Sequence, residues 1–520
     1  MKPRAILLLT LCAAWAVSPV ASRAQSDLSR EAADLISGLD LEQAGRVLAA
    51  ADPSDSQATL QRARLAVYDL DCDAAVSILG RIDLQRGDAS TLADVARGCQ
   101  RATAALSTTR DGGLGIEVQW QDEHDLPLAP LVFETVARAR DALTRDLGVD
   151  WPRPTRIVVV RDAMSLSAMT GLPYASAQTT GTVAVAKWGR VTLLSPRASP
   201  HGFPWRDTLA HELTHLAVTR ISRDRAPLWL QEGVAKYEEV RWREPAPFDD
   251  RPPPDRLVVG GMKLGLGLPL DRLGPSIAML PSAEAATVAF AEVTSFVDFY
   301  VRTQPAGALS RLLRALRDAP DTKAALIAAS GSDLEVWNDR WRAFLSNVPA
   351  DASFIELGGT ARAKPFWREL RDRSRLAELL DARNHEVAAI KELDRFRVSG
   401  DAALRDAASG DPSIRWLRGR SEEGSGLDLR SSEFASLFED PKEVRSSFAP
   451  WWALRGRWAR ARGEEAIAVD SFGQAVAADP FDPEGTCEVV AGDPSADANP
   501  ALCASARAWS GSPNGGVGGD

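Results

Sequence analysis

Two histidines four residues apart, with a glutamate beside the first, restrict what this chain can fold into more than any other stretch: His211-Glu212-Leu213-Thr214-His215. On a helix this spacing stacks both imidazoles on one face, one turn apart, the arrangement that chelates a single Zn²⁺. Glu212 then lies where it can take a proton from water at the metal. The chain has only 5 histidines in 520 residues, so a chance occurrence of the pattern is expected well under once. Leu209, Ala210, Leu213, Leu216, Ala217 and Ile221 surround the motif with apolar positions suited to a buried helix. Arg220 to Arg225 read as a polar loop, and Pro227 as the opening of a second helix that carries Glu232. A zinc site that does chemistry takes three protein ligands and leaves one position open, and two histidines with a carboxylate are one established set.

H-E-L-T-H followed by P-L-W-L-Q-E-G-V-A-K-Y resembles the gluzincin metallopeptidases, most closely the peptidase-MA-like domain, in which W-x-x-E-G-x-A supplies the third ligand. Carried over by position, the resemblance implies Zn²⁺ held by His211, His215 and Glu232, with Glu212 as general base. It covers about residues 111–345, with its specific motifs in 206–241. It implies an α+β fold, a zincin-like catalytic domain built from a small mixed sheet and active-site helices, with a helical subdomain behind the third-ligand helix. It also implies that an edge strand, Thr182 to Lys187, pairs with an extended peptide through backbone hydrogen bonds. A tyrosine that donates to the oxyanion is expected near the start of the helix beginning around Ala285, where this chain has Phe290. Tyr174, in a loop ahead of the edge hairpin, and then Tyr300, further along the Phe290 helix, are the candidates for that role, with His201 next. For orienting the ligands, Asp207, one turn before His211, is the nearest carboxylate on the motif helix.

Met1 to Ala24 read as a secretory signal, with Lys2 and Arg4 ahead of an apolar core from Ala5 to Val17 and Ser22-Arg23-Ala24 as a small-x-small cleavage site. The core is too short for a stable anchor, and no later stretch is apolar for long enough to span a bilayer. An exported protein with no membrane span, periplasmic or secreted and soluble, is the expectation. Removing Lys2, Arg4 and Arg23 makes the formal charge of −10 three units more negative. That balance argues against nucleic acid or an anionic membrane surface as the main partner and leaves a peptide or protein substrate. The four remaining cysteines allow three connectivities. Cys72 with Cys99 and Cys487 with Cys503 is the favoured pairing, since the two pairs sit at opposite ends of the chain.

Around the catalytic region the pattern is helical. Residues 25–110 carry apolar positions at helical spacing and resemble degenerate tetratricopeptide repeats, either as a packed cap or as a ligand-binding repeat. Gly112-Gly113 marks the boundary, after which strands (Leu114 to Trp120, Arg156 to Val160, and a hairpin of Gly181 to Ala186 with Arg190 to Leu194) alternate with helices. Pro245 to Asp255 reads as irregular, and Gly260-Gly261 with Gly265 and Gly267 as flexible. Residues 346–509 form a second helical region, with its clearest repeat at 449–482, where Arg455 and Ala459 depart from the tetratricopeptide pattern. A disordered tail is expected over 510–520. The leading expectation is an exported zinc metallopeptidase. The alternative is a weakly active or inactive peptidase-fold scaffold whose helical repeats bind an envelope protein.

Overall fold

The computed structural model describes residues 19–82, 88–151, 154–199, 202–245, 249, 253–351, 355, 365–438, 448–492 and 500–510. Most of the expected signal segment, His201 and the tail after Ser510 lie outside them; residues 19–24 open a helix, Pro19–Ser37.

The fold is mixed α+β, with many helices around a five-stranded sheet in the order β1-β2-β3-β5-β4. Its strands are β1 (Ser107–Asp111), β2 (Ile116–Trp120), β3 (Thr155–Val160), β4 (Ala184–Lys187) and β5 (Arg190–Leu194). β2, β3 and β5 run parallel, while β1 and β4 are antiparallel edges. The apolar runs of β3 and β5 are continuous because both faces of the sheet are covered. Val158 and Val160 pack with Leu166, Met169 and the Cys72–Cys99 bridge on one face. Ile157 and Val159, one residue out of phase, join Leu209 and Leu213 of the motif helix in the main core.

Three sequence expectations change. Gly112-Gly113 lies in the turn between β1 and β2, so the sheet starts at Ser107 rather than after the glycines. β1 reads Ser-Thr-Thr-Arg-Asp, a polar edge strand without the apolar alternation that marks a strand in sequence. Gly260 and Gly261 are helical, within Pro254–Lys263; a Cβ on Gly261 would sit 2.6 Å from the Val288 side chain, so Gly261 lets two helices close rather than loosening a loop. Tyr174 opens a short helix, Tyr174–Thr180, instead of sitting in a loop.

The β4–β5 hairpin turns through Trp188 and Gly189, both at positive φ (58° and 70°), the two-residue geometry that matches strand twist. Trp188 is held in that conformation from outside the sheet: its ring meets Tyr68 edge-on at 6.0 Å, and Arg190 donates to the Val67 carbonyl at 2.6 Å. The N-terminal helices thus pack as a cap that buttresses the edge hairpin. At the other end of the chain, helices Ala449–Ala461 and Glu465–Ala478 form the expected helical pair, with Gly456 against the Phe472 ring, where a Cβ would come within 2.6 Å. Arg455 points inward and donates to Ser471 at 2.6 Å, and Ala459 is fully buried, so neither departure from the repeat pattern shapes an outer groove. This pair docks where the chain enters the motif helix: Phe203 N–H donates to the Ala478 carbonyl at 2.9 Å. Beside it, the Arg197 guanidinium lies against Trp509 at 4.6 Å and Phe481 at 5.5 Å. Both expected cysteine pairs are bonded, Cys72 with Cys99 and Cys487 with Cys503. Among the described residues, no helix is long and apolar enough to cross a membrane.

Candidate metal centre

The motif helix spans Trp205–Ser222 and is buried on nearly every side, with Leu209, Leu213, Ala217 and Val218 in the main core. Arg223 and Asp224, both left-handed at φ 54° and 60°, reverse the chain, and Pro227 stands at the N-cap of the Glu232 helix, Leu228–Glu238. That helix packs against Ala283–Thr303 through Gly233, where a Cβ would fall 2.4 Å from Val297. The reversal carries Glu232 back to the histidines.

His211 Nε2 and His215 Nε2 are 3.2 Å apart, and Glu232 Oε2 lies 3.6 Å from the first and 3.5 Å from the second. Three donors at the corners of such a triangle fit one ion: tetrahedral bonds of about 2.0–2.1 Å put neighbouring donors roughly 3.3–3.4 Å apart. These three are the metal-capable group found among the described residues. Their donor set, two imidazoles and a carboxylate, suits zinc. The charges of these side chains compensate one another. Burial alone would lower the His211 imidazole, but hydrogen bonds to Glu232 and Glu239 overcome it and push it up to about 10. Burial works against charge on Glu232 too, yet the two histidines hold its carboxyl well below the ordinary range.

Glu212 is buried beside the histidines, and burial raises its carboxyl against the pull of His215 and His211. It also accepts a hydrogen bond from the backbone N–H of Ala186 on β4. Because Val183 pairs inward with Leu194, residues 184 and 186 turn their backbone groups away from β5, toward the motif helix and the open edge. The general-base candidate and the edge strand are therefore physically joined.

The carboxylate behind His211 is Glu239, with Oε2 3.0 Å from Nδ1, and not Asp207. Asp207 is occupied elsewhere, accepting from Trp242 at 3.0 Å and from Arg243 at 2.8 and 2.7 Å. Lys236 Nζ reaches the same Glu239 oxygen at 2.6 Å. Burial opposes charge on Glu239, but Lys236 and His211 bring its carboxyl down to about 2. Sequence reasoning missed Glu239, although seven residues past Glu232 is two helical turns and hence the same face.

The tyrosines fare differently. Tyr300 is buried against Trp337 with ring centroids 4.9 Å apart, ten residues and roughly 15 Å of helix beyond Phe290. The helix rotation that turns Phe290 toward His211, centroid to centroid 6.4 Å, turns Tyr300 into the helical core, so Tyr300 is not at the site. Tyr174 is exposed, and its hydroxyl accepts from the Gln178 amide at 2.7 Å rather than meeting the donors. Phe290 and the Lys236 ammonium, 5.9 Å from its ring, are the groups flanking His211 on that side. No family model matches this chain, and no curated protein matches it.

Proposed function

We propose that this chain is an exported zinc metallopeptidase of the gluzincin type, with a zincin-like catalytic region between helical flanks. The observation that carries the reading is the donor triangle of His211, His215 and Glu232, with sides of 3.2 to 3.6 Å, beside a buried Glu212. Zn²⁺ bound there supplies Lewis-acid polarisation of a carbonyl and lowers the pKa of water at the site.

This chain's own residues do the rest. His211 and His215 present bare Nε2 atoms, and Glu239 keeps the His211 proton on Nδ1. The Glu212 carboxylate, made more basic by burial, accepts a proton from the attacking water as the C–O bond forms, and returns it to the leaving amine nitrogen as the C–N bond breaks. β4 offers outward backbone groups at Ala184 and the Ala186 carbonyl, which pair with an extended peptide and lay its scissile bond across the donors. A second reading, a peptidase-fold scaffold that recruits an envelope protein without turnover, is favoured by Phe290, which puts a ring with no donor beside His211.

Incubating the zinc-loaded mature protein with a diverse peptide library separates the two. The peptidase reading expects new termini at defined bonds, lost in Glu212→Gln with zinc retained. Uncut peptides, or Glu212→Gln cutting as fast as the parent, would overturn it.

A further inference from the structure

The far end of the motif helix borders a second concavity. His215 and Arg223 are eight residues apart, about 12 Å along the axis, so this end is separate from the metal centre. The cavity has a volume of about 180 Å³ and is walled by Arg220, Arg223, Arg314 and Arg317, with Asp40 and Asp150 as its acidic groups. That volume is far above the ~10–15 Å³ that one water needs. The lining holds four guanidiniums and two carboxylates, and Asp34, outside the lining, pairs with Arg223.

The donors are unevenly used. Arg220 reaches both lining acids: it donates to the Asp40 carboxylate and to the Asp150 carboxylate at 3.5 Å, and also to the Asp150 and Gly38 carbonyls at 3.2 and 3.1 Å. Arg314 holds the Gly148 carbonyl at the end of helix Ala129–Leu147 through Nη2 at 3.0 Å and Ser310 through Nε at 3.3 Å. Those bonds are helix-capping work and need no ligand. Arg223 reaches Asp34 through Nη1 at 2.9 Å, and the carboxylate nearest Arg317 is its own neighbour Asp318, at 3.9 Å. Arg317 sits in the last turn of helix Ala308–Asp318, where its charge complements the helix end without a capping hydrogen bond, and it lines the same cavity as Arg223 and Arg314.

We propose that this cavity binds a small phosphate-bearing anion, held by Arg223, Arg314 and Arg317. Guanidinium forks match phosphate oxygens in pairs, and a phosphate carries close to two negative charges with three acceptor oxygens, which suits three arginines on the wall of one cavity. The walls come from the turn after the first helix (Gly38 and Asp40), the end of Ala129–Leu147, the motif helix and helix Ala308–Asp318. Bound phosphate would clamp the N-terminal cap to the motif helix.

Calorimetric titration of the full mature protein with inorganic phosphate and with glycerol 3-phosphate, at constant ionic strength and with acetate as control, tests this. Saturable binding near one per chain is expected for phosphate; binding of the ester as well means the pocket admits a substituted phosphate, and its exclusion means free phosphate is the ligand. Arg317→Ala, at an exposed residue with no capping bond, should weaken binding about tenfold or more, the usual consequence of losing one charge-assisted partner, while the ligand-free Tm stays unchanged. Arg314→Lys should weaken it too, since one ammonium cannot reproduce the fork. No saturable heat with either phosphate, equal binding of acetate, or full affinity in Arg317→Ala would overturn the proposal.

Discussion

His211 must keep Nε2 bare to hold a metal, so its ring proton belongs on Nδ1, where Glu239 accepts it at 3.0 Å. Lys236, at 2.6 Å from the same carboxylate, keeps Glu239 charged and in place. Glu239→Gln should therefore lower zinc affinity about 10–100-fold, read by competition with a chromophoric chelator. An unchanged affinity would show that Glu239 does not orient the ligand. The grouping of His211, Glu212, His215 and Glu232 was legible in the sequence because it follows from spacing within one helix and a recognisable return helix. Asp207 and Tyr300 lie elsewhere than expected because their positions depend on which face of a helix meets which neighbour. Arg243 claims Asp207, and Trp337 covers Tyr300. Such contacts are non-local, and spacing along the chain does not encode them.

Among the elements, the Glu232 helix depends on how closely it approaches Ala283–Thr303. Gly233 follows Glu232, and a Cβ there would lie 2.4 Å from Val297 and 2.8 Å from the Val293 carbonyl oxygen. Helix propensity alone predicts that Gly233→Ala gains about 1 kcal/mol. The clash opposes it with backbone that cannot yield, so the expected net effect is a loss of about 1–3 kcal/mol, with weaker zinc binding as Glu232 is pushed off register. Thermal unfolding decides the sign, and a raised Tm would mean the two helices are not packed this closely. Gly261 belongs to the same class. In sequence a glycine that permits close packing and a glycine that loosens a loop look alike, whereas the hairpin was legible because two β-branched runs flank Lys187-Trp188-Gly189, of which Lys187 pairs with Arg190 and leaves a two-residue turn.

Across the whole molecule, several acids are buried without enough compensating charge. Burial pushes Glu238 up to about 8, with the Asp146 carboxylate adding to it, and raises Glu292 and Asp479 to about 7 and Asp482 to about 6. Each keeps its proton in the fold at pH values where the unfolded chain has lost it. The native state then binds more protons, and stability present below the unfolded carboxyl pKa, about 4, is lost as pH rises through about 8. Metal-free His211, up at about 10, acts in the same direction above its unfolded value of about 6.5. The Tm of the metal-free protein should fall between about pH 5 and pH 8.5, and Glu238→Gln should flatten the fall; a Tm that climbs over this range would contradict the assignment of these acids as buried and protonated. The central claim, that three side chains from two helices hold one zinc, is tested most directly by titrating the metal-free protein with Zn²⁺ and counting bound metal per chain. The account predicts one per chain for the parent and for Glu212→Gln, and loss of tight binding in Glu232→Ala. A parent that stays empty, or a Glu232→Ala protein that binds zinc as tightly as the parent, would contradict it.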